Sequence, residues 1–566
     1  MKFVIISGGV VSGLGKGIIS SSLGALLKSR SYKVASVKID MYINVDAGTI
    51  RPQEHGEVFV THDGVETDED LGHYERFLHE NLSRVNYITT GQIYQEVIRK
   101  ERAFEYDGED VEAVPHVTDE IERRIRLAGE KNKADVVLVE LGGTVGEYQN
   151  GIFFEATRIM KLRNPKDVIH LHVTYLPFLH NLGELKSKPA QTSVHILNGM
   201  GIHPDVMVAR SEKACDQRRL DRLALFCNLD PTCIFSSPDL DSVYKVPLFL
   251  GNKKNGLDEV VLKLLQLKKK KHQKINEWKQ LVKNINNPKK KKVSIGLVGK
   301  YFTTGDYKLS DSYASVIEAL RHAAWKLGAD LNLSWINADD VENKKVDFSL
   351  YDGILVPQGW GSRGAEGKIS AVTYARENKI PYLGLCFGMQ MAVIEFARNV
   401  LKLKDANSEE VDVKTKHPVI HIMPEQQKYL KNHQYGGTIR LGAWPCLIKS
   451  GTKLEEAYKL YGKVENAPWY EPGSADQKID LKTKNLIFER HRHRYEFNDD
   501  FRDQMEKAGL IISGVSPDNK LVEAIEIKDH PFFVATQFHP EYISRPLTPH
   551  PIFMAFLKSI LLKLSL

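Results

Sequence analysis

Short apolar runs recur along the chain, several of them leading into glycine-rich or charged segments. Residues 3–6, 33–39, 134–140, 168–173 and 205–209 are long enough for buried strands and too short for core helices. Between the first two, residues 18–27 form a small-residue run compatible with a helix. Strands alternating with helices predict a parallel α/β sheet. From 251 to 292 the pattern turns polar and rich in lysine. Within it Ile275, Trp278, Leu281, Val282 and Ile285 recur at helical spacing and predict a docking helix, ended by Pro288 and a lysine run. At residues 293–298 the strand pattern restarts and leads to Gly299-Lys300. Residues 354–357 predict a strand running into the loop Gln358-Gly359-Trp360-Gly361, and 381–385 another, with a helix from about 390 to 399. The expected architecture is two doubly wound α/β domains, 1–266 and 293–566, joined by a Lys-rich linker at 267–292.

Composition places the chain among globular proteins, with 42% hydrophobic and 27% charged residues in 566. The net charge of +6 includes the runs 268–271 and 289–292, which read as a solvated linker and exclude a nucleic-acid groove. Cys215, Cys227, Cys233, Cys386 and Cys446 are scattered without a CxxC pair, so a disulfide frame and a zinc site are excluded. No signal peptide and no membrane-spanning apolar run is visible, and the expected location is the cytoplasm.

The first strand leads into Ser7-Gly8-Gly9-Val10-Val11-Ser12-Gly13-Leu14-Gly15-Lys16-Gly17, followed by the predicted helix. Strand, Gly-rich loop, lysine and helix N-terminus form a cradle for phosphates. Two places depart from the usual phosphate loop. Val10 stands where its first glycine belongs, and Gly17 stands where a hydroxyl would hold Mg²⁺. The metal must then be held elsewhere. Glu140 ends a buried strand, and residues 66–70 are an acidic cluster in which spacing does not choose between Asp68 and Asp70. Lys38 and Asp40 end another strand, where doubly wound sheets bind ligands. Lys186 and Lys188, in a loop bounded by Gly183 and Pro189, suit a triphosphate.

In the second half Gly384-Leu385-Cys386-Phe387-Gly388 has the form of a nucleophile elbow, a tight strand-to-helix turn that exposes its central side chain. The following helix favours a thiolate, and backbone N–H groups there suit an oxyanion hole. Gln537-Phe538-His539-Pro540-Glu541 supplies the partners. In extended backbone residues two apart face one side, so His539 is expected to reach Cys386 while Glu541 orients it.

Residues 384–390 with 537–541 resemble a class I, triad-type glutamine amidotransferase. Lys38-Ile39-Asp40, residues 42–46, 55–59, 70–77 and 142–146 resemble CTP synthase, as do residues 397–400, Gly437-Thr438, 440–442 and 489–496. The likeness runs from about residue 1 to residue 560. It implies an N-terminal synthetase domain and an amidotransferase domain. ATP phosphorylates the uracil O4 of UTP, and ammonia, released from glutamine at Cys386 and channelled between the domains, displaces phosphate to give CTP. It further implies that Gly13, Leu14, Gly15, Lys16, Gly17, Ile18 and Lys38 hold the ATP phosphates, with Asp239 and Leu240 near the adenine. Asp70, which also serves the ATP site, and Glu140 would hold Mg²⁺. Ser12, Glu147, Tyr148, Gln149, Lys186, Ser187, Lys188, Pro189, Ala190, Gln191 and Arg222 would take UTP, or CTP as inhibitor. Gly359, Phe387, Gly388, Met389, Gln390, Glu410 and Arg494 would hold glutamine. Pro52, His55 and Val58 match the family's tunnel constriction, and Arg363 is the expected contact of a GTP activator. Members form homotetramers. The chain departs from the family at Gly13 (usually Ser), Arg222 (usually Lys), 147–149 (usually Asp-Ile-Glu), Gln358 and Trp360 (usually Gly and Phe). Gln149 is expected to weaken CTP feedback, and Gln358 would be strained if its position needs a glycine-only φ.

Overall fold

A computed structural model describes residues 1–251, 254–287, 290–304, 307–308, 311–423, 426–427, 429, 437–462 and 483–565. Pro288 and Lys289, expected to end the linker helix, lie outside the described residues, as does the side chain of His55. The chain forms two compact units, residues 1–46 with 73–285 and residues 47–72 with 286–566. Among the described residues no helix is long and apolar enough to cross a membrane.

In the first unit seven parallel strands lie in the order Ile234–Pro238, Val206–Ser211, Val168–Tyr175, Lys2–Gly8, Val136–Leu141, Val34–Asp40, Tyr87–Thr89. Val34–Asp40 and Val136–Leu141 are buried along their whole length, which is why they read as continuous apolar runs. The register sets Lys38 beside Glu140 and Ile6 beside Glu140, so two charges share the edge where Lys2–Gly8 delivers its loop. The helix Lys16–Ser29 starts from that loop. The helix Ile275–Ile285 buries Ile275, Trp278 and Leu281. The Trp278 ring lies 5.5 Å from Phe77 and 6.3 Å from Tyr244, centroid to centroid. Lys268–Lys271 are exposed, Lys269 pairing with Glu259 and Lys270 lying over Tyr32, as a solvated run should.

The second unit holds a nine-stranded sheet. Ala329–Asn337, Lys291–Gly299, Gly353–Val356, Tyr382–Leu385 and Phe533–Thr536 run parallel. Val522–Ile527, Leu510–Val515, Arg440–Ile448 and Leu486–His493 extend it antiparallel. Leu385 is in register with Thr536, so the residues that follow both strands emerge on one edge. The hairpin of Phe59–Val60 and Glu66–Thr67 belongs to this unit. Arg490 donates to the Val60 carbonyl at 2.8 Å, and the Ala443 N–H to that of His62 at 2.9 Å.

Candidate active site

Cys386 sits between Tyr382–Leu385 and the helix Phe387–Asn399, with φ 52° and ψ −102°. A non-glycine residue rarely takes this backbone, and the turn is held from both sides. The Cys386 N–H donates to Thr536 O at 2.7 Å. A Cβ on Gly388 would lie 2.0 Å from Val356 O, and one on Gly384 would meet Ala535 Cβ and Gly388 C at 3.0 Å. Both glycines of the motif are therefore imposed by close backbone approach. The helix starts directly at Phe387, three residues earlier than its sequence pattern suggests.

His539 Nδ1 lies 2.7 Å from Glu541 Oε1, both side chains buried. The contact arises differently from the extended pairing expected. His539 has φ −109° and ψ 82° and precedes a 3₁₀ turn, Pro540–Ile543, so Glu541 reaches back across a tight turn. Pro540 favours that turn by fixing its own φ. Burial opposes the imidazolium, but Glu541 and the Cys386 sulfur outweigh it and raise the His539 pKa to about 10. The His539 ring stacks on Tyr542 at 4.9 Å, and the Tyr542 hydroxyl donates to Val58 O at 3.1 Å.

Around this dyad a pocket is lined by Gln358, Gly359, Trp360, Cys386, Gln390, Glu410, Arg492, His493, Arg494, Tyr495 and His539. Of the residues expected to hold glutamine, Gly359, Gln390, Glu410 and Arg494 face it. Met389 is buried in the core, Gly388 packs against Val356, and the Phe387 ring lies beneath two lysines. Burial raises the Glu410 pKa, although its Oε1 accepts from the Gly361 N–H at 2.7 Å. Arg494 is held by Gln426 at 3.1 Å and Thr438 at 3.0 Å. Gln358 is free of positive-φ strain; Gly361, with φ 72°, takes that backbone. The Gln358 side-chain amide donates to Glu57 at 3.3 Å, and Glu57 accepts from the Ser315 N–H at 2.8 Å. Arg363 pairs with Asp339 at 3.3 Å. Pro52 opens the helix Pro52–His55, and Val58 is buried.

Several neighbours escape sequence reasoning. The Gln537 amide lies 3.6 Å from Cys386 Sγ. Arg492 pairs with Glu66 at 2.8 Å and lies over Trp360 at 5.6 Å. Lys300 donates to Gly361 O at 2.9 Å and Arg363 O at 3.1 Å, and burial lowers its pKa to about 8. Gln537 had one available signal, its place two residues before His539.

In the first unit the phosphate loop carries Val10 at φ 87°, Gly13 at φ 69° and Gly15 at φ 91°. Val10 thus keeps the left-handed backbone that a glycine would take there. Lys16 is buried and donates to Gly143 O at 2.6 Å. A Cβ on Gly9 would lie 2.4 Å from Ser193 Cβ, and one on Gly8 2.7 Å from Lys16 Cδ. His172 bridges Ser7 and Ser193 at 3.0 Å each, kept neutral by burial, which lowers its pKa to about 3. Arg210, unforeseen, donates to Leu14 O at 3.2 Å and pairs with Asp239 at 2.8 Å, tying the loop to the adenine candidate. Leu240 is half-buried beside it. Lys38 Nζ lies 3.5 Å from Glu140 and 3.6 Å from Asp40, and Tyr74 donates to Glu140. Asp70, in the stretch that clusters with the second unit, opens the helix Asp70–Leu78, its N–H donating to Asp68 at 2.9 Å.

The pyrimidine candidates are more scattered. Ser12, Tyr148, Gln149 and Arg222 are exposed. Glu147 accepts from the Thr144 N–H and hydroxyl at 2.7 and 2.6 Å, closing its own loop. Lys186 pairs with Glu184. Lys188, Pro189, Ala190 and Gln191 open the helix Lys188–Gly199, preceded by Ser187, whose hydroxyl accepts from the Gln191 side-chain amide at 3.1 Å.

The family model for the CTP synthase N-terminus matches residues 2–267. That for class-I glutamine amidotransferases matches residues 308–559. The CTP synthase of Caldanaerobacter subterraneus subsp. tengcongensis is 50% identical over 564 residues, covering 99% of this chain and 98% of that protein. The CTP synthase of Shouchella clausii is 48% identical over 563 residues, 99% of each chain. A solved glutaminase domain of Trypanosoma brucei CTPS with bound acivicin matches 48% of this chain and 94% of that one, at 34% identity and a TM-score of 0.39. A likeness that runs the full length of both halves makes this chain a member of the CTP synthase family, glutamine-hydrolysing enzymes that convert UTP to CTP.

Proposed function

We propose the following division of labour for this ATP-dependent reaction. In the second unit Cys386 Sγ attacks the glutamine carboxamide. His539, oriented by Glu541, takes the thiol proton and gives it to the departing ammonia. Water then clears the glutamyl thioester from Cys386. Glu410 meets the glutamine ammonium and Arg494 its carboxylate, with Gly359 and residues 387–390 shaping the site. The observation that carries this reading is the strained Cys386 turn facing a buried His539–Glu541 pair in a pocket holding both a carboxylate and an arginine.

In the first unit residues 13–18 cradle the ATP phosphates, Lys16 and Lys38 add positive charge, and Asp239 with Leu240 meets the adenine. Ser12, residues 147–149, 186–191 and Arg222 bind UTP, or CTP in feedback. The γ-phosphoryl group passes to the uracil O4, and ammonia, delivered inside the protein past Pro52, His55 and Val58, replaces phosphate at C4. Glu140, and Asp70 of the second unit, offer the hard oxygen donors that Mg²⁺ prefers, whereas Gly17 at the start of the phosphate-loop helix offers no hydroxyl. Bound there, Mg²⁺ would offset phosphate charge. GTP activation through Arg363, a homotetramer and a cytoplasmic location complete the reading, along with a synthetase domain at 1–266 and an amidotransferase domain at 293–566 joined by the 267–292 linker. The test is incubation with ATP, Mg²⁺ and UTP plus either glutamine or ammonium, following CTP. Formation from both nitrogen sources is expected; none from either sinks the proposal.

A further inference from the structure

Beneath the glutamine pocket lies a buried lysine that the triad does not use. Lys368, on the helix Ala365–Glu377, is fully buried. Its Nζ donates to Pro357 O at 2.8 Å and to Gln358 O at 3.3 Å, and lies 5.2 Å from the centre of the Phe387 ring. Neither acceptor is a carboxylate. Burial pushes the Lys368 pKa well below its ordinary value, Lys300 pushes the same way, and only the Cys386 sulfur opposes them. A buried amine without a carboxylate partner is costly, so what it holds matters.

It holds the peptide before Gly359. A trans peptide directs its C=O and N–H to opposite sides. The Gln358 carbonyl faces Lys368 Nζ and, at 3.5 Å, the Tyr313 hydroxyl. The Gly359 N–H is therefore aimed away from them, and Gly359 lines the pocket. The next two N–H groups are occupied, Trp360 donating to the Tyr301 hydroxyl at 3.0 Å and Gly361 to Glu410 at 2.7 Å. That of Gly359 has no hydrogen-bond partner among the described residues. A Cβ at 359 would crowd the ends of two lysine side chains, lying 2.9 Å from Lys300 Cε and 3.3 Å from Lys368 Nζ. The Phe387 N–H, first in its helix, has no intrahelical acceptor either.

We propose that Lys368 is a positioning residue for glutamine hydrolysis, fixing the Gln358–Gly359 peptide so that the Gly359 N–H meets the oxyanion. The inference rests on the glutaminase reading of Cys386. In that step the C–S bond forms and the carbonyl π pair moves onto oxygen, which accepts from the Gly359 and Phe387 N–H groups. Collapse breaks the C–N bond, and ammonia leaves with the proton from His539. Lys368 exchanges no proton in the step.

The test is Lys368→Met in the full chain. The kcat for glutamine hydrolysis should fall about 10- to 100-fold, with KM within about 3-fold. Ammonium-driven CTP formation should persist and reports the fold. Lys368→Gln, which keeps a donor, should recover part of kcat. Wild-type kcat in Lys368→Met would overturn the proposal, as would a loss confined to KM. Where Lys368→Met also loses ammonium-driven synthesis, Lys368→Gln decides on the same split between kcat and KM. A wild-type protein without glutaminase activity would instead remove the reading of Cys386 beneath it.

Discussion

Val10 and Cys386 both hold backbone that L-residues avoid, in the turns that lead to the two candidate reaction sites. Cys386 has chemistry to justify it, since the strained turn presents the sulfur beside His539. Val10 is an aliphatic side chain with no chemistry to offer, and it is 36% exposed. Left-handed backbone at a β-branched residue costs about 1–3 kcal/mol. A glycine there would relieve this, at about 0.5–1 kcal/mol of added chain entropy in the unfolded state. Val10→Gly should therefore stabilise the protein by up to about 1–2 kcal/mol, seen as a raised midpoint in urea unfolding. A lowered midpoint would mean that Val10 makes contacts worth more than its strain.

Among the elements, strands that bury both faces are the legible ones. Val34–Asp40 and Val136–Leu141 are nearly pure apolar runs, so pattern alone finds them. The antiparallel half of the second sheet hides its signal. Leu486–His493 buries Glu489, Arg490, His491 and His493, and polar residues satisfied inside the protein look like solvent-facing ones in sequence. His491 and His493, for example, lie 2.8 Å apart nitrogen to nitrogen. The site divides the same way. Cys386 and His539 stand in short local motifs, whereas Lys368 looks like any helix-surface lysine until its carbonyl partners are seen. The helix Ile275–Ile285 is the reverse case, legible through spacing despite its polar surroundings. Its Trp278 is 5% exposed against Phe77 and Tyr244. Trp278→Ala removes that packing and should cost about 3–5 kcal/mol by denaturant unfolding. A cost below about 1 kcal/mol would show the helix to be surface decoration.

At the scale of the whole chain, residues 47–72 cluster with the amidotransferase unit although the first half of the sequence encodes them. Glu57 holds Gln358 of the pocket loop, the Val58 carbonyl accepts from Tyr542 beneath His539, and Glu66 holds Arg492. The glutaminase chemistry is thus built on two stretches of chain, while the phosphate loop with Lys16, Lys38 and Glu140 belongs wholly to the other unit. Two chemistries on separate groups should fail separately. Cys386→Ala leaves the backbone of the turn in place and removes only the sulfur, so glutamine-driven CTP formation should fall by more than about 10³-fold while ammonium-driven formation stays within about 2-fold. Lys16→Ala removes a cation from the phosphate site and should abolish both, because phosphorylation of UTP precedes either nitrogen source. Steady-state rates with each donor, measured on the two variants side by side, check the pair. If Cys386→Ala also loses the ammonium-driven reaction, the nucleotide site depends on the state of the elbow and the two chemistries are one machine. If Lys16→Ala keeps either reaction, the loop that opens the chain is not where ATP reacts.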